Sequence, residues 1–270
     1  MKEIEKISSR DNQRLVAARK LRDGRGDGRI FVEGKRLAAE ALRSGIEIDE
    51  CFFKSEFDDD DLLYAAADRA KGTFELSEKL FDSIADTKNP QGIILIAKRP
   101  SGGQAAIAER LRSDDSALPV VLFLKEINNP ANLGAILRTA EAAGVAGVIV
   151  SDVSADVYSP KALRASMGAS FRVSISVSAN FDTILSWAKA KGLTTTAADI
   201  GAEAAYSEVD WTVPRLLIFG SEAPGLAETE IERVNETILI PMENGVESLN
   251  LAVSAGVILF EAKRQIQLIK

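Results

Sequence analysis

Histidine is absent from this chain of 270 residues, and cysteine occurs once, at Cys51. Without histidine there can be no Ser-His-Asp triad, no Cys-His dyad, no zinc site of the usual His/Cys kind and no histidine proton shuttle. A single cysteine cannot form an internal disulfide, which fits a reducing compartment, so we expect a cytoplasmic protein. Any chemistry must therefore use carboxylates, Arg, Lys, hydroxyls, amides or backbone groups, and we expect no metal site.

Long apolar runs are also missing. The longest extends from Leu249 to Phe260 and is shorter than the roughly 20 residues that a membrane span needs. Three small or polar residues interrupt it: Asn250, Ser254 and Gly256. The N-terminus is charged and lacks the apolar segment of a signal peptide. We therefore expect no membrane partner, and the length of the chain, which exceeds the usual size of one core, favours two domains.

The net charge of −7 is unfavourable for a nucleic-acid binder, but the charge is unevenly distributed. Residues 1–43 contain 12 Lys and Arg against 7 Asp and Glu, whereas the remaining chain contains 21 basic and 33 acidic residues. A basic N-terminal part on an acidic body would let one end of the protein approach phosphate groups. The alternative is a solvated helix face that is basic without binding anything.

Residues 8–98 have the pattern of a compact α/β unit. The pattern predicts helices over residues 13–21, 35–44 and 62–70. It predicts strands over residues 29–33, 48–54 and 93–97. Cys51 falls within one of these strands, where we expect a buried apolar residue. A cluster of proline, serine and glycine begins at Pro100 and marks the best linker, so we place an N-terminal domain at residues 1–99 and a linker at 100–118.

Residues 119–270 form the second predicted domain. The pattern predicts strands over residues 120–124, 147–150, 172–177, 193–198, 215–220 and 237–240. Helices are expected over residues 132–143, 160–167, 181–189, 228–234 and 249–265. The strands are apolar without alternation, as expected when helices cover both faces of a parallel sheet. The fold class is therefore α/β with an open parallel sheet, in which ligands bind beyond the carboxyl ends of the strands.

Three polar or glycine-rich motifs lie at such strand ends. The first, NNPANLGAILRT at 128–139, opens a helix whose early proline suits its free first turn. Asn132 lies near the start of this helix. Arg138 is about 100° around the helix from the apolar Leu137 and can therefore leave the core. Taken alone, the motif is also consistent with a capped amphipathic helix that carries a surface arginine.

The second motif is FGSEAPGL at 219–226, where Gly220 and Gly225 permit a sharp turn and a close approach to a ligand. It is neither a P-loop nor a dinucleotide fingerprint. The third motif combines IPM at 240–242 with SLNL at 248–251, which opens the last helix. Ser248 has the side chain of a helix cap. That helix is apolar on nearly every side and must be covered, for which a dimer interface is one solution.

The order and spacing of the three motifs closely resemble those of the SpoU/TrmH family of RNA ribose methyltransferases. The resemblance covers residues 120–265 strongly. It extends more weakly to residues 7–97, where ISS, FVEG and PQG are similar to a small substrate-binding domain related to RNA-binding ribosomal proteins. The resemblance implies a homodimer that pairs through the methyltransferase domain, with a deep C-terminal trefoil knot that shapes a pocket for S-adenosyl-L-methionine.

The resemblance also implies the site residues, by matching position. The cofactor-binding set is Leu217, Gly220, Gly225, Leu226, Ile240 and Leu249. The active-site set is Asn132, Arg138, Glu222, Ser248 and Asn250. The implied reaction transfers a methyl group to a ribose 2′-hydroxyl of RNA, and the extra N-terminal domain favours ribosomal RNA. Because a guanidinium stays protonated, we expect Arg138 to stabilise the developing alkoxide and to position a phosphate, with Glu222 or solvent accepting the proton.

Three alternatives stay open. A member of the same family could act on transfer RNA. An RNA-binding scaffold could have lost catalysis, although the presence of the whole polar set argues against it. A dinucleotide-dependent oxidoreductase would need a glycine fingerprint after a strand, whereas the glycine-rich residues 24–28 follow a predicted helix.

Overall fold

The computed structural model describes residues 4–26, 28–113, 118–178 and 180–269. They fold into two compact units. Unit 1 comprises the described residues up to Pro100 together with residues 156–172. Unit 2 comprises the described residues of 101–155 and 173–270. Residues 156–172 thus group with the N-terminal part of the chain, although the sequence pattern placed them in the C-terminal domain.

Strands and helices alternate along both units. The strands are β1 (Ile4–Ile7), β2 (Arg29–Glu33), β3 (Ile48–Lys54), β4 (Gly72–Leu76), β5 (Ile93–Lys98), β6 (Leu118–Leu124), β7 (Val145–Ser151), β8 (Ile175–Ser178), β9 (Thr194–Ala198), β10 (Arg215–Phe219) and β11 (Glu236–Ile238). The helices are α1 (Gln13–Arg22), α2 (Lys35–Ser44), α3 (Asp60–Arg69), α4 (Glu78–Ile84), α5 (Gln104–Ser113), α6 (Pro130–Ala143), α7 (Pro160–Ser166), α8 (Phe181–Ala190), α9 (Glu228–Ile231) and α10 (Leu251–Ile269).

Unit 1 is built on a sheet with the strand order β1-β4-β3-β5-β2. Strand β5 runs antiparallel to both β2 and β3, whereas β4 is parallel to its two neighbours. Successive residues of β3 point to opposite faces: Cys51 packs with α2 and α3, and Phe52 packs with α1 and α4. Cys51 is fully buried, as predicted. Helices therefore cover this sheet on both faces.

Helix α7 belongs to the core of unit 1. Leu163 of α7 and Phe171 beyond it are buried in the same apolar cluster as Val32 and Ile93. Two ion pairs also hold this segment, from Arg164 to Asp86 at 2.7 Å and from Arg172 to Glu40 at 2.7 Å. Apolar burial and charge pairing together explain why the segment folds with unit 1.

Unit 2 contains a parallel sheet with the order β11-β9-β10-β6-β7-β8. Val121 and Phe123 of β6 pack on one face with Ile107 of α5 and Ile184 of α8. On the opposite face α10 contacts both α6 and β6. The predicted open parallel sheet with helices on both faces is confirmed.

Helix α5 is a packed element, although it lies within the stretch assigned to the linker. Ile107 is fully buried in the core of unit 2, and Gly102 before the helix touches the backbone of Ile175 so closely that a side chain could not fit. Among the residues that the structure describes, no helix has the length and apolarity required to cross a bilayer.

Candidate active site

A cleft of about 1010 Å³ opens at the carboxyl ends of β9, β10 and β11. Its walls come from the loops that follow these strands, from the segment before α10 and from the first turn of α6. This is the edge of an open parallel sheet at which ligands bind. The cleft brings together nine residues of the predicted sets: Asn132, Gly220, Glu222, Gly225, Leu226, Ile240, Ser248, Leu249 and Asn250.

Hydrogen bonds fix the loop between β6 and α6 that leads to Asn132. Ser151 accepts from the backbone N–H of Glu126 at 2.8 Å, and Ser154 accepts from that of Ile127 at 3.0 Å. Asn129 caps α6 by accepting from the N–H of Ala131 at 2.9 Å. These bonds orient the first turn of α6, so that Asn132 faces the cleft.

The loop after β10 closes tightly upon itself, and Gly220 permits this. A Cβ atom at Gly220 would lie 2.5 Å from the carbonyl carbon of Gly225 and 2.6 Å from the nitrogen of Leu226. Gly225 adopts φ +89°, a conformation that favours glycine. The hydroxyl of Ser221 accepts from the N–H of Gly225 at 3.3 Å. The two glycines therefore allow the loop to fold back on itself at the edge of the cleft.

The segment before α10 departs from the sequence prediction in one detail. Helix α10 begins at Leu251, so Ser248 lies too far ahead to cap it. Asn250 takes that role, because its Oδ1 accepts from the N–H of Ala252 at 2.9 Å. Ser248 is exposed and lines the cleft instead.

Three predicted side chains form one hydrogen-bonded chain along the cleft. Asn250 donates from Nδ2 to Oδ1 of Asn132 at 3.1 Å. Asn132 in turn donates from Nδ2 to Oε1 of Glu222 at 3.2 Å. Each amide uses its oxygen to accept and its nitrogen to donate, so the network leads in one direction and ends on the carboxylate.

Two predicted residues lie elsewhere. Arg138 is exposed on α6 and does not line the cleft. The helical turn that buries Leu137 points its neighbour outward, as expected, but not toward this cleft. Leu217 is fully buried inside β10 and does not line the cleft. Phe219, two residues later, is the first residue of this strand to line the cleft, and Gly220 follows it.

Sequence reasoning missed part of the lining. Asp199 and Ile200 follow β9, and Ser254 and Ile258 lie one turn apart on α10. The end of the predicted strand at 193–198 was the available signal for Asp199, because every strand of a parallel sheet ends at the same edge. Residues on α10 gave no comparable signal, since its apolar pattern does not show which side faces the cleft.

Lys125 is a basic side chain whose charge is balanced by two carboxylates. Lys125 follows β6, and its Nζ lies 2.6 Å from Glu126 and 3.2 Å from Glu230. Burial acts to lower the pKa of Lys125, but the hydrogen bonds that Lys125 donates to both carboxylates outweigh it, so that the pKa is raised above its usual value. Lys125 therefore stays charged and paired.

Comparison with known proteins settles the family. A model described as the SpoU rRNA Methylase family matches residues 119–260. The chain belongs to this family. A second model, the MRM3-like substrate binding domain, matches residues 12–95 of this SpoU methylase.

Relatives match this chain over nearly its whole length. The SpoU methylase is 30% identical over 268 residues to an uncharacterized tRNA/rRNA methyltransferase of Synechocystis, covering 97% of this chain and 95% of that protein. It is 27% identical over 263 residues to the 23S rRNA (guanosine(2553)-2'-O)-methyltransferase RlmP of Bacillus subtilis, covering 96% and 100%.

A solved structure agrees with the fold. The AdoMet-bound rRNA methyltransferase of Sinorhizobium meliloti superposes with a TM-score of 0.81 at 27% identity, covering 97% of this chain and 98% of that one. AdoMet is S-adenosyl-L-methionine. The predicted family, fold class and enzyme class are thus confirmed.

The cleft of this SpoU methylase fits such a cofactor. Its volume of about 1010 Å³ exceeds what one nucleoside-sized ligand fills. Gly220 lets the backbone of Gly225 and Leu226 pack closely against it, and this compact loop lines the cleft. The apolar part of the cleft wall is formed by Ile238, Leu239 and Ile258.

Proposed function

We propose that this SpoU methylase transfers the methyl group of S-adenosyl-L-methionine to a ribose 2′-hydroxyl of RNA, and that ribosomal RNA is the substrate. The observation that carries the proposal is the hydrogen-bonded chain from Asn250 through Asn132 to Glu222 beside the cleft. The name of the Bacillus subtilis relative supports the ribose position and the RNA class.

The chemistry requires a proton acceptor, because a ribose hydroxyl is a poor nucleophile at neutral pH. The cofactor supplies an electrophilic methyl group on a positively charged sulfur. Glu222 accepts the hydroxyl proton as the new carbon–oxygen bond forms. Asn132 holds the Glu222 carboxylate through one oxygen and leaves the other available. Asn250 fixes Asn132, and Ser248 at the cleft surface orients the ribose.

Arg138 contributes as a cation and not as a base. A guanidinium remains protonated at any physiological pH, so it cannot remove the proton. Arg138 is exposed and outside the cleft lining, which leaves its donors available to an RNA phosphate once RNA is bound. Replacing Arg138 with Lys should therefore cause severe loss of turnover, because Lys cannot reproduce bidentate donation, and near-normal turnover would refute this role.

Unit 1 would bind the RNA. Its first 43 residues carry the basic excess of the chain. The connection between α4 and β5 is held by Glu33, which is 5% exposed and accepts from the N–H of Asp86 at 2.7 Å and from Thr87. This fixes the loop that carries the exposed Lys88. We assign unit 1, with the described part of residues 1–99, to RNA binding, and unit 2, with helix α5 and most of residues 119–270, to catalysis. RNA cross-linked to unit 2 peptides alone would contradict this.

The chain would work as a cytoplasmic homodimer with a knotted C-terminal part. Support for pairing comes from α10, where Val253 and Phe260 are exposed by 51% and 49%. They are seven residues apart and therefore lie on one face of the helix. An apolar stripe of this kind fits burial against a second copy.

The deciding experiment maps methylation. Purified protein is incubated with S-adenosyl-L-methionine and unmodified transcripts of 23S ribosomal RNA or of transfer RNAs, and 2′-O-methyl nucleotides are located by mass spectrometry. We expect methylation of ribosomal RNA and a loss of about 100-fold or more in turnover for Glu222→Gln, since general-base catalysis contributes about 10²–10⁴-fold. Modification of transfer RNA alone would reassign the substrate, and methyl groups on bases would overturn the proposal.

A matched control separates catalysis from folding. Asp152→Asn makes the same kind of carboxylate-to-amide change in unit 2, at an exposed turn outside the cleft lining. It should leave turnover unchanged. Glu222→Gln should retain cofactor binding, and if it does not, the role of Glu222 as proton acceptor loses its support.

A further inference from the structure

The charged side chains that line the cleft all have one sign. Among the described residues the lining includes three carboxylates, Asp199, Glu222 and Glu247, and neither lysine nor arginine. Histidine is absent from the chain. Lys125 lies outside the lining and is paired with two other carboxylates. Within the described residues, no lysine or arginine of the lining balances the negative charge of the cleft.

Asp199 differs from the other two carboxylates in its environment. Glu222 and Glu247 are exposed, whereas Asp199 is half-buried. Its backbone is fixed, because its N–H donates to the carbonyl of Ile238 at 2.9 Å. Within the described part of the chain its carboxylate forms no hydrogen bond or ion pair, while Glu222 accepts from Asn132. A carboxylate without a protein partner at the wall of a cleft is available to attract a cationic ligand.

The methyl donor and its product differ in charge. S-adenosyl-L-methionine has a positively charged sulfonium, and S-adenosylhomocysteine, formed by loss of the methyl group, has a neutral thioether at that place. Both share the same ammonium and carboxylate groups. An attraction to negative charge in the cleft therefore favours the donor over the product, and the attraction grows where water is partly excluded.

We propose that Asp199 is a specificity residue that makes the cleft prefer the sulfonium donor over its neutral product. The proposal rests on the proposed function, because it takes the cleft to be the cofactor site. Asp199 would favour binding of the donor and release of the product, whereas Glu222 would accept the proton. Once the methyl group has been transferred, the product loses this attraction and exchanges more readily for a new donor.

The proposal also has a kinetic consequence. The positive charge on sulfur decreases as the methyl group is transferred, so Asp199 stabilises the bound donor more than the transition state. Removing its charge should raise KM for the donor and leave kcat unchanged or slightly higher. A residue that only supported the fold would lower kcat through loss of folded enzyme.

Isothermal titration calorimetry on the full chain tests the proposal with three ligands. S-adenosyl-L-methionine and sinefungin, an analogue with an ammonium group near the sulfur position, are cationic there; S-adenosylhomocysteine is not. We expect Asp199→Asn to weaken binding of the two cationic ligands by about tenfold, equivalent to about 1.4 kcal/mol, and to change binding of S-adenosylhomocysteine by less than about twofold. Asp199→Glu should retain part of the preference.

The outcomes separate this proposal from the function on which it rests. Equal weakening of all three ligands would show that Asp199 holds the shared ammonium group or the fold, and would overturn the proposal. Unchanged affinities would overturn it as well. If the unaltered protein bound none of the three ligands, the proposed function itself would fail. The Asp152→Asn control, exposed and outside the cleft, should bind all three as the unaltered protein does.

Discussion

The side chain of Asn250 illustrates how one residue links structure to chemistry. Its oxygen caps α10 by accepting from the N–H of Ala252, and its nitrogen donates to Asn132. The cap fixes the orientation of the amide, because the two ends of the group cannot exchange without losing both bonds. Any movement at the start of α10 is therefore transmitted to the group that holds Glu222.

Gly220 gives a prediction at the same scale. In Gly220→Ala the new Cβ would lie 2.5 Å from the Gly225 backbone, so the loop after β10 must move. We expect affinity for S-adenosyl-L-methionine to fall by about tenfold or more, with a stability loss of about 1–3 kcal/mol, as for an overpacked site. Calorimetry and chemical denaturation measure the two effects.

Gly256→Ala is the matched control for this prediction. A Cβ there would meet only Thr139, at 3.7 Å, which is an ordinary contact. Because alanine is favoured over glycine inside a helix by about 0.8–1.0 kcal/mol, this variant should be slightly more stable and bind the cofactor normally. If both variants behaved alike, close packing at Gly220 would not be important for the cleft.

Helix α10 has a buried side and an exposed apolar side. Ala255, Leu259 and Ala262 are buried on its inner side, whereas Val253 and Phe260 are exposed on its outer side. The sequence pattern, apolar on nearly every side, required that something cover the whole helix. The described residues cover only one side of the helix, and in the proposed homodimer a second copy would cover the other side.

Phe260→Glu tests that proposal. A carboxylate in the centre of an apolar interface must be desolvated without a partner, so we expect the dimer to dissociate, with at least a tenfold rise in its dissociation constant. Analytical ultracentrifugation across a concentration series provides the measurement. Val153→Glu, at a 63% exposed apolar residue of unit 2, is the control and should leave association unchanged. A monomer in the unaltered protein would refute pairing through α10.

The sequence pattern predicted most of the elements, including the short edge strands β8 and β11, but it missed β1, β4 and α4. Strand β1 is exposed along most of its length and has only one buried residue, Ile7, so no apolar pattern marks it. Strand β4 has its partners far away in the sequence, at β1 and β3. The predicted strand at 172–177 begins later, at Ile175, because a 3-10 helix occupies Ala169–Phe171. Local pattern is a weak guide where pairing supplies the stability.

For the whole molecule, ion-paired carboxylates determine how stability changes at low pH. Hydrogen bonds from Lys71 and Lys98 lower the pKa of Glu47 to about 2, and a hydrogen bond from Lys35 lowers that of Asp58. A carboxylate with a lowered folded-state pKa contributes stability above its usual pKa and loses it as pH falls toward the folded value. The free energy of unfolding should therefore decrease from about pH 4.5 toward pH 2.

The alkaline side follows from Cys51. Burial raises the pKa of its thiol to about 12, so the folded state keeps a proton that the unfolded chain loses above about pH 9. Stability should fall again above that pH. Between about pH 5 and 8 the curve should be nearly flat, since no histidine titrates there. Urea denaturation at steps of pH measures the profile, and a transition centred near pH 6.5 would contradict it.

The apolar pattern of the strands was sufficient to predict the fold class, because it depends on neighbours in sequence. The resemblance of the three motifs to the SpoU/TrmH family supplied the family and the nine predicted residues that line the cleft. Contacts between distant residues were not accessible in this way. Asn132 lies 90 residues from Glu222 and 118 residues from Asn250, and the bonds between them depend on how strands and helices pack. The same holds for Asp199, which joins the cleft through β9, and for Arg138, which packing leaves outside it. A linear pattern specifies which face of an element is apolar, whereas the partner of that face is selected by the free energy of the assembled fold.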